Sequence, residues 1–401
     1  MTSYQKIAIV GAGVAGVTAA ASLRQEGYKG DITLLSNQRD YPYDLPPLSK
    51  TVISSGTSVE QIMLQPSEFY RSNNVNLLLD WEVAEIDPIA LQLRARSGER
   101  ISADAIIIAT GGRPIEPSIE VRNGASYYRL KSYSDAIKLR QMAKSSNTGL
   151  IVGAGLIGCE VAASLRQCGC DVTLVDASKA PMERVFPAHI RKHLTSRHQA
   201  EGVQFKFEKR LLGLDFSTAC FEDGTNIEAD FILMAVGSRP NIELAESSGI
   251  EVFNGVSVND SFQTNYQNVY CIGDTANIQG VGRQEHWTSA QAQGMAVAHS
   301  ILTGQRYVPR TSWVWSDQYD LRVEAAGNLG EVEQFHTRSG ESTLIEFGTK
   351  QGQVVFASGI SSTKEMRLFH RIIEADLVLD TAELTDASRN IRELIKENKV
   401  V

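Results

Sequence analysis

One glycine pattern occurs twice in this sequence, as Gly11-Ala-Gly13-Val-Ala-Gly16 near the N-terminus and as Gly153-Ala-Gly155-Leu-Ile-Gly158 further on. Each copy follows a short isoleucine- and valine-rich run, residues 6–10 and 150–152, of the kind that makes a parallel strand buried on both faces. Helical spacing follows each copy, over 14–24 and from Leu156, and a second apolar run comes next, at 32–35 and 172–175. In such a strand, turn, helix and strand unit the first glycine permits the tight turn and the second leaves room for a pyrophosphate against the backbone. The third lets helix pack on strand, and the helix N-terminus offers unpaired N–H groups to phosphate. Two such units in one chain predict an α/β protein with two Rossmann-like dinucleotide-binding domains. Two nucleotides on one polypeptide point to electrons passed from one to the other.

Composition narrows the class further. With 401 residues, 42% apolar and 21% charged, the chain is long enough for two or three domains with well-buried cores. A formal net charge of −8 argues against a nucleic-acid partner, which needs a dense basic surface. The longest strongly apolar stretches, such as 106–109, fall far short of the roughly 20 residues of a membrane span, so no membrane partner is expected. The N-terminus has one early lysine and runs straight into the first strand without a signal-like apolar segment, so a cytoplasmic location is expected. Five cysteines, Cys159, Cys168, Cys170, Cys220 and Cys271, form no C-x-x-C pair, and neither a disulfide framework nor a metal site is expected. Cys168-Gly-Cys170 reads as a turn into the next strand.

The two nucleotide sites are unequal. An acid normally ends the second strand and bonds the ribose, yet the first copy reads Leu35-Ser36-Asn37-Gln38. Asn37 could bond ribose through its amide oxygen, or serve as an ordinary turn residue. The second copy has its acid, Asp176, which favours NADH over NADPH. A carboxylate about 4 Å from a 2′-phosphate costs on the order of 4 kcal/mol, or about three decades in affinity. Lys179 and Arg184 are close enough in sequence to offset part of this. Glu160, near the start of the second helix, could be there simply for the helix dipole, worth ~0.3–1 kcal/mol.

Further blocks carry a resemblance. Val269-Tyr270-Cys271-Ile272-Gly273-Asp274, taken with the first fingerprint and Ile106-Ile107-Ile108-Ala109-Thr110-Gly111, resembles the flavin signature of the two-dinucleotide-binding flavoproteins. There the aspartate matching Asp274 bonds the flavin ribitol. Disulfide reductases of that superfamily carry active cysteines in the stretch corresponding to 41–50, which here reads Tyr-Pro-Tyr-Asp-Leu-Pro-Pro-Leu-Ser-Lys. This block resembles the NADH-dependent ferredoxin reductases of bacterial aromatic-ring dioxygenase and cytochrome P450 systems. The similarity continues through 65–70, 155–160, Glu285-His286-Trp287 with Ala290 and Gln293, and Trp315-Ser316-Asp317-Gln318-Tyr319-Asp320.

The resemblance implies a glutathione-reductase-like fold with a small α+β C-terminal domain. It places an FAD domain at 1–112 and 245–308, an NADH domain at 113–244 and the C-terminal domain at 309–401. It implies that Lys50 sits against the flavin and pairs with Glu160. The cofactor-binding positions it implies are Gly11, Gly13, Ala15, Gly16, Asn37, Val83, Thr110, Gly111, Arg129, Gly273, Asp274 and Trp287. With them go Gly153, Gly155, Gly158, Asp176 and Gly237. Two positions depart from the family: Asn37 replaces its acid, and Leu45 stands where an arginine often precedes Pro-Pro.

Residues from about 309 read as strands at 343–347 and 354–358 followed by a helix at 363–375. Trp315 is a candidate for the rim where an iron–sulfur protein approaches, or else a core aromatic. Arg310, Lys364, Arg367 and Arg371 are candidates for a local basic patch; the last three have helical spacing, which also fits a plain solvated face. The expected reaction takes a hydride from NADH onto FAD and passes single electrons to a [2Fe-2S] ferredoxin that feeds a terminal oxygenase. Two alternatives remain: reduction of a small acceptor such as a quinone or oxygen, and a redox-switched binding protein similar to the apoptosis-inducing-factor branch.

Overall fold

The computed structural model describes residues 4–306, 311–340 and 343–398. They form two compact units, one of residues 4–44, 58–113 and 238–306 and the other of residues 45–57, 114–237, 311–340 and 343–398.

The first unit is built on a five-stranded parallel sheet in the order Val269–Cys271, Ala105–Ile108, Lys6–Val10, Asp31–Leu35, Val75–Leu78. Ile7 to Val10 and all of Ala105–Ile108 are buried, as strands covered on both faces must be. Each fully buried isoleucine adds about 2 kcal/mol of apolar burial. Helix Val14–Gln25 buries Ala15, Val17, Ala19, Ala20 and Leu23. Its small residues admit helix Trp287–Thr303 so closely that a methyl on Gly294 would lie 2.6 Å from the Ala15 carbonyl oxygen. An antiparallel sheet of Val83–Asp87, Gln92–Ala95 and Arg100–Ser102 also belongs to this unit.

The second unit repeats the plan. A parallel sheet orders Gln204–Lys206, Asp171–Val175, Thr148–Val152 and Phe231–Met234, with helix Leu156–Gln167 after the glycine turn. Cys168 caps that helix and Gly169 turns the chain at φ +88°, so Cys168-Gly-Cys170 is the expected turn. All five cysteines are free thiols, and burial raises Cys170 to about 11, which leaves it unreactive.

The same unit contains a five-stranded antiparallel sheet, in the order Trp313–Gln318, Leu321–Gly327, Gln353–Ile360, Leu344–Lys350, Gln334–Ser339. Helix Thr363–Glu374 covers it with Met366, Phe369 and Ile372 and leaves Lys364, Arg367 and Arg371 exposed on its other face. No helix among the described residues is long and apolar enough to cross a membrane.

Candidate functional site

The two glycine turns are near copies in space. Gly11 and Gly153 both adopt φ +112°, and a methyl on either would lie 2.2 Å from a carbonyl oxygen, of Ala109 or Ala235. A methyl on Gly16 would lie 2.0 Å from the Gly11 oxygen, and one on Gly158 would lie 1.9 Å from the Gly153 oxygen. The middle glycines differ: within 4 Å of a methyl on Gly13 or Gly155 there is no protein atom. The outer glycines are therefore demanded by the fold and the middle ones by open space. Both following helices begin without a side-chain cap, so their first amides face that space.

In the first unit a cavity of about 640 Å³ lies at the carboxyl ends of the first two strands, lined in part by Gly11, Leu35, Asn37, Val83, Thr110 and Asn241. Asp274 sits in the turn Gly273–Thr275, its Cβ 4.0 Å from a methyl built on Gly112. Thr275 Oγ1 donates to the Gly111 oxygen at 2.7 Å and Gly273 N donates to Gln293 Oε1 at 2.7 Å. Trp287 Nε1 donates to Asp44 Oδ1 at 2.6 Å. The space at Gly13, the uncapped helix and the cavity fit the ADP half of FAD, and this unit also holds Ala15, Gly16, Val83, Thr110, Gly111, Gly273, Asp274 and Trp287. Sequence reading did not single out Asp44 or Asn241; single polar residues in irregular segments carry no periodic signal.

The second unit holds Gly153, Gly155, Gly158, Asp176, Gly237, Lys50, Glu160, Trp315 and Arg129. Asp176 Oδ2 accepts from Ala154 N at 2.6 Å and Oδ1 from Ser178 N at 2.7 Å, so this acid holds the glycine turn. Gly153 N donates to Val175 O as Gly11 N donates to Leu35 O, which places Ser36 in the register of Asp176. Ser36 Oγ accepts locally from Gln38 N at 3.1 Å, and Asn37, exposed, lines the cavity. Asp176→Ala should raise KM for both nucleotides, since it releases the Ala154 amide, and should narrow the NADH over NADPH preference by about tenfold or more. An unchanged ratio of kcat/KM would remove Asp176 from the ribose. Lys179 and Arg184 are exposed; Arg129 is an exposed partner of Glu116, with its guanidinium 6.0 Å from the Tyr127 ring centre. Arg310 lies outside the described residues.

Lys50 and Glu160 come together. Lys50 Nζ stands 3.3 Å from Glu160 Oε1 and 3.3 Å from Asp317 Oδ2. Glu160 is 4% exposed and accepts from Ser316 Oγ at 2.7 Å and from Ser49 Oγ. Burial pushes its carboxyl above the usual range, opposed by Lys50 and the two hydroxyls. Trp315 has two cations near its ring centre, Lys50 at 5.9 Å and Arg322 at 5.8 Å, and Arg322 bonds Asp317 at 3.2 Å. The group places a buried carboxylate, a held ammonium and an aromatic ring in one cluster, which can fix a cation and an indole against a redox-active ring. Ser49, Arg322 and the roles of Ser316 and Asp317 were not anticipated, although three of them flank predicted residues in sequence.

Residues 5–294 match the family described as pyridine nucleotide-disulphide oxidoreductase, and residues 313–395 match the reductase C-terminal family. Relatives include the benzene 1,2-dioxygenase system ferredoxin–NAD(+) reductase subunit of Pseudomonas putida, 30% identical over 403 residues and covering 98% of each chain. A rubredoxin–NAD(+) reductase of Pseudomonas putida is 34% identical over 348 residues, 84% of this chain and 90% of that one. Among solved structures, the covalent putidaredoxin reductase–putidaredoxin complex is similar at a TM-score of 0.93 and 27% identity, over 99% of each chain. With two glycine turns of one geometry, two parallel sheets and these matches, the chain belongs to the pyridine nucleotide-disulphide oxidoreductase family and carries its reductase-type C-terminal domain.

Proposed function

We propose that the protein takes a hydride from NADH onto FAD and passes the electrons singly to a [2Fe-2S] ferredoxin that feeds a terminal oxygenase. The observation that carries this reading is the stretch 41–50, which has no cysteine and ends in Lys50, held between Glu160 and Asp317. Electrons therefore have no disulfide to enter there, and the flavin, when bound, supplies the conversion from a two-electron donor to a one-electron acceptor. The ferredoxin reductase relative aligned over almost the whole chain and the likeness to a reductase–ferredoxin complex support the acceptor class.

Within this reading the first fingerprint, Asn37, Val83, Arg129, Asp274 and Trp287 bind FAD. The second fingerprint, Asp176 and Gly237 bind NADH. Lys50 places its cation beside the flavin ring, Glu160 holds Lys50, and Trp315 lines the electron exit. The domains are assigned as FAD 1–112 and 245–308, NADH 113–244 and C-terminal 309–401, in the cytoplasm. Lys364, Arg367 and Arg371, exposed on one helix face, with Arg310, supply the basic patch that an acidic ferredoxin needs on a chain of net charge −8. The 34% identity to a rubredoxin reductase favours a second reading, a rubredoxin as the one-electron acceptor.

Stopped-flow reduction with NADH and with NADPH, then mixing with [2Fe-2S] ferredoxins, a rubredoxin and quinones, tests this. Faster reduction by NADH and rapid transfer to a ferredoxin are expected. Rapid turnover of quinones with no transfer to any iron protein would overturn it.

A further inference from the structure

We propose that His198, with Tyr319 behind it, is a positioning residue for the buried Lys50–Glu160 pair and acts through a one-way chain of hydrogen-bond donors ending on the Glu160 carboxylate. His198 belongs to helix Ala188–Ala200 and is 1% exposed. From the outside inward the chain runs Tyr319 OH to His198 Nδ1 at 3.0 Å, His198 Nε2 to Gln318 Oε1 at 2.8 Å and Gln318 Nε2 to Ser316 Oγ at 3.0 Å. Ser316 Oγ to Glu160 Oε1, at 2.7 Å, closes it.

Each link has one direction. Gln318 Oε1 can only accept, so His198 Nε2 carries the hydrogen. Burial pushes His198 below its usual range, so the ring is neutral, Nδ1 is an acceptor and the Tyr319 hydroxyl donates. Ser316 accepts from the Gln318 amide and spends its only hydrogen on Glu160. Four donors thus polarise one another toward a single carboxylate, an order in which each bond strengthens the next.

The backbone independently marks the outer end of the chain. Tyr319 has φ 58°, in the two-residue turn joining strands Trp313–Gln318 and Leu321–Gly327. A bulky residue in that left-handed region is strained, where glycine would be free of strain. What Tyr gains there is its contacts: an edge-on ring packing with His198 at 5.1 Å and the Arg197 guanidinium 5.0 Å from its ring centre. The ionised groups beside the histidine are Arg197 and its two partners, Glu201 and Asp320. At the inner end Glu160 faces Lys50, whose ammonium also pairs with Asp317, and the neutral Cys159 thiol precedes Glu160 in the chain. Because the His198 ring is neutral, the donor chain reaches Glu160 as an oriented dipole, and it opposes the protonation that burial favours. A protonated Glu160 would no longer hold Lys50.

The importance of the pair for turnover rests on the function proposed above, but the test does not depend on the acceptor. In the oxidised FAD-bound protein, the carbonyl stretch of protonated Glu160 is followed by difference infrared spectroscopy against pH and assigned by its loss in Glu160→Gln. His198→Phe should raise the midpoint by about one pH unit, a tenfold gain in proton affinity. His198→Gln, which restores a donor toward Gln318, should keep the parent midpoint, and Tyr319→Phe should move it by less, in the same direction. An unmoved midpoint in a folded His198→Phe protein, or a His198→Gln shift as large as that of His198→Phe, would overturn the proposal. Should His198→Phe not fold, Tyr319→Phe decides: a raised midpoint supports the chain and an unmoved one refutes it.

Discussion

Gly158→Ala is expected to lose NADH-driven flavin reduction by a hundredfold or more, on the order of 3 kcal/mol, while FAD stays bound. Its methyl would sit 1.9 Å from the Gly153 oxygen and 3.1 Å from the Gly153 carbonyl carbon. Both atoms are backbone, so no side chain can swing aside. Helix Leu156–Gln167 must shift off its strand, and Glu160, two residues on, shifts with it away from Lys50. Gly155→Ala is the contrasting case. Its backbone is at φ −75° and its methyl meets no protein atom within 4 Å, so the protein should fold as the parent does. Only a pyrophosphate lying against the turn would meet that methyl. KM for NADH should therefore rise about tenfold or more with kcat largely kept. Thermal unfolding, flavin absorbance per protein and rapid-reaction reduction separate the two variants. A Gly155→Ala protein with unaltered KM would mean that the nucleotide does not lie on this turn.

Arg338→Met is expected to be the most destabilising change outside the nucleotide sites. This arginine, 4% exposed in strand Gln334–Ser339, gathers the end of the chain. Nη1 donates to the carbonyls of Leu384 at 3.1 Å and Asp386 at 2.5 Å, Nη2 to Arg389 at 2.8 Å, and Nε to Glu365 at 3.1 Å. Methionine keeps the apolar stem but leaves those carbonyls without a donor and Glu365 without its cation. Removing one side of a buried charged network costs about 3–5 kcal/mol. The helices Thr381–Thr385 and Ile391–Asn398 should loosen, although Leu384, Leu394 and Ile395 keep some of their burial. Limited proteolysis should then cut between 379 and 398 in the variant at concentrations that spare the parent, with a clear fall in Tm. Parent-like resistance would show that apolar packing alone holds this segment.

The contrast between these two sites shows what can be read from a chain of residues. The glycine turns were legible because their sterics are local: the third glycine of each turn faces an oxygen five residues back. The helix at Thr363–Glu374 and the strands Leu344–Lys350 and Gln353–Ile360 were legible through periodicity, and they end within a few residues of the expected limits. Asp176 was singled out by its place at a strand end, but its grip on the Ala154 amide was not, because a contact to a backbone amide 22 residues back leaves no mark in residue type. Arg338 reads in sequence as one more surface cation. Its carbonyl partners lie about fifty residues away, and hydrogen bonds to carbonyls leave no pattern in residue type.

By itself, then, the sequence determined two nucleotide turns, their inequality and the absence of a disulfide beside Lys50. These follow from local backbone geometry and from the identity of single residues. Only the tertiary structure decided the state of Glu160. Whether a carboxylate stays charged depends on how much water it keeps and which donors surround it, and here burial is opposed by Lys50, Ser49, Ser316 and a chain reaching His198 and Tyr319. Those groups come from three separate stretches of the chain, and only folding brings them to Glu160.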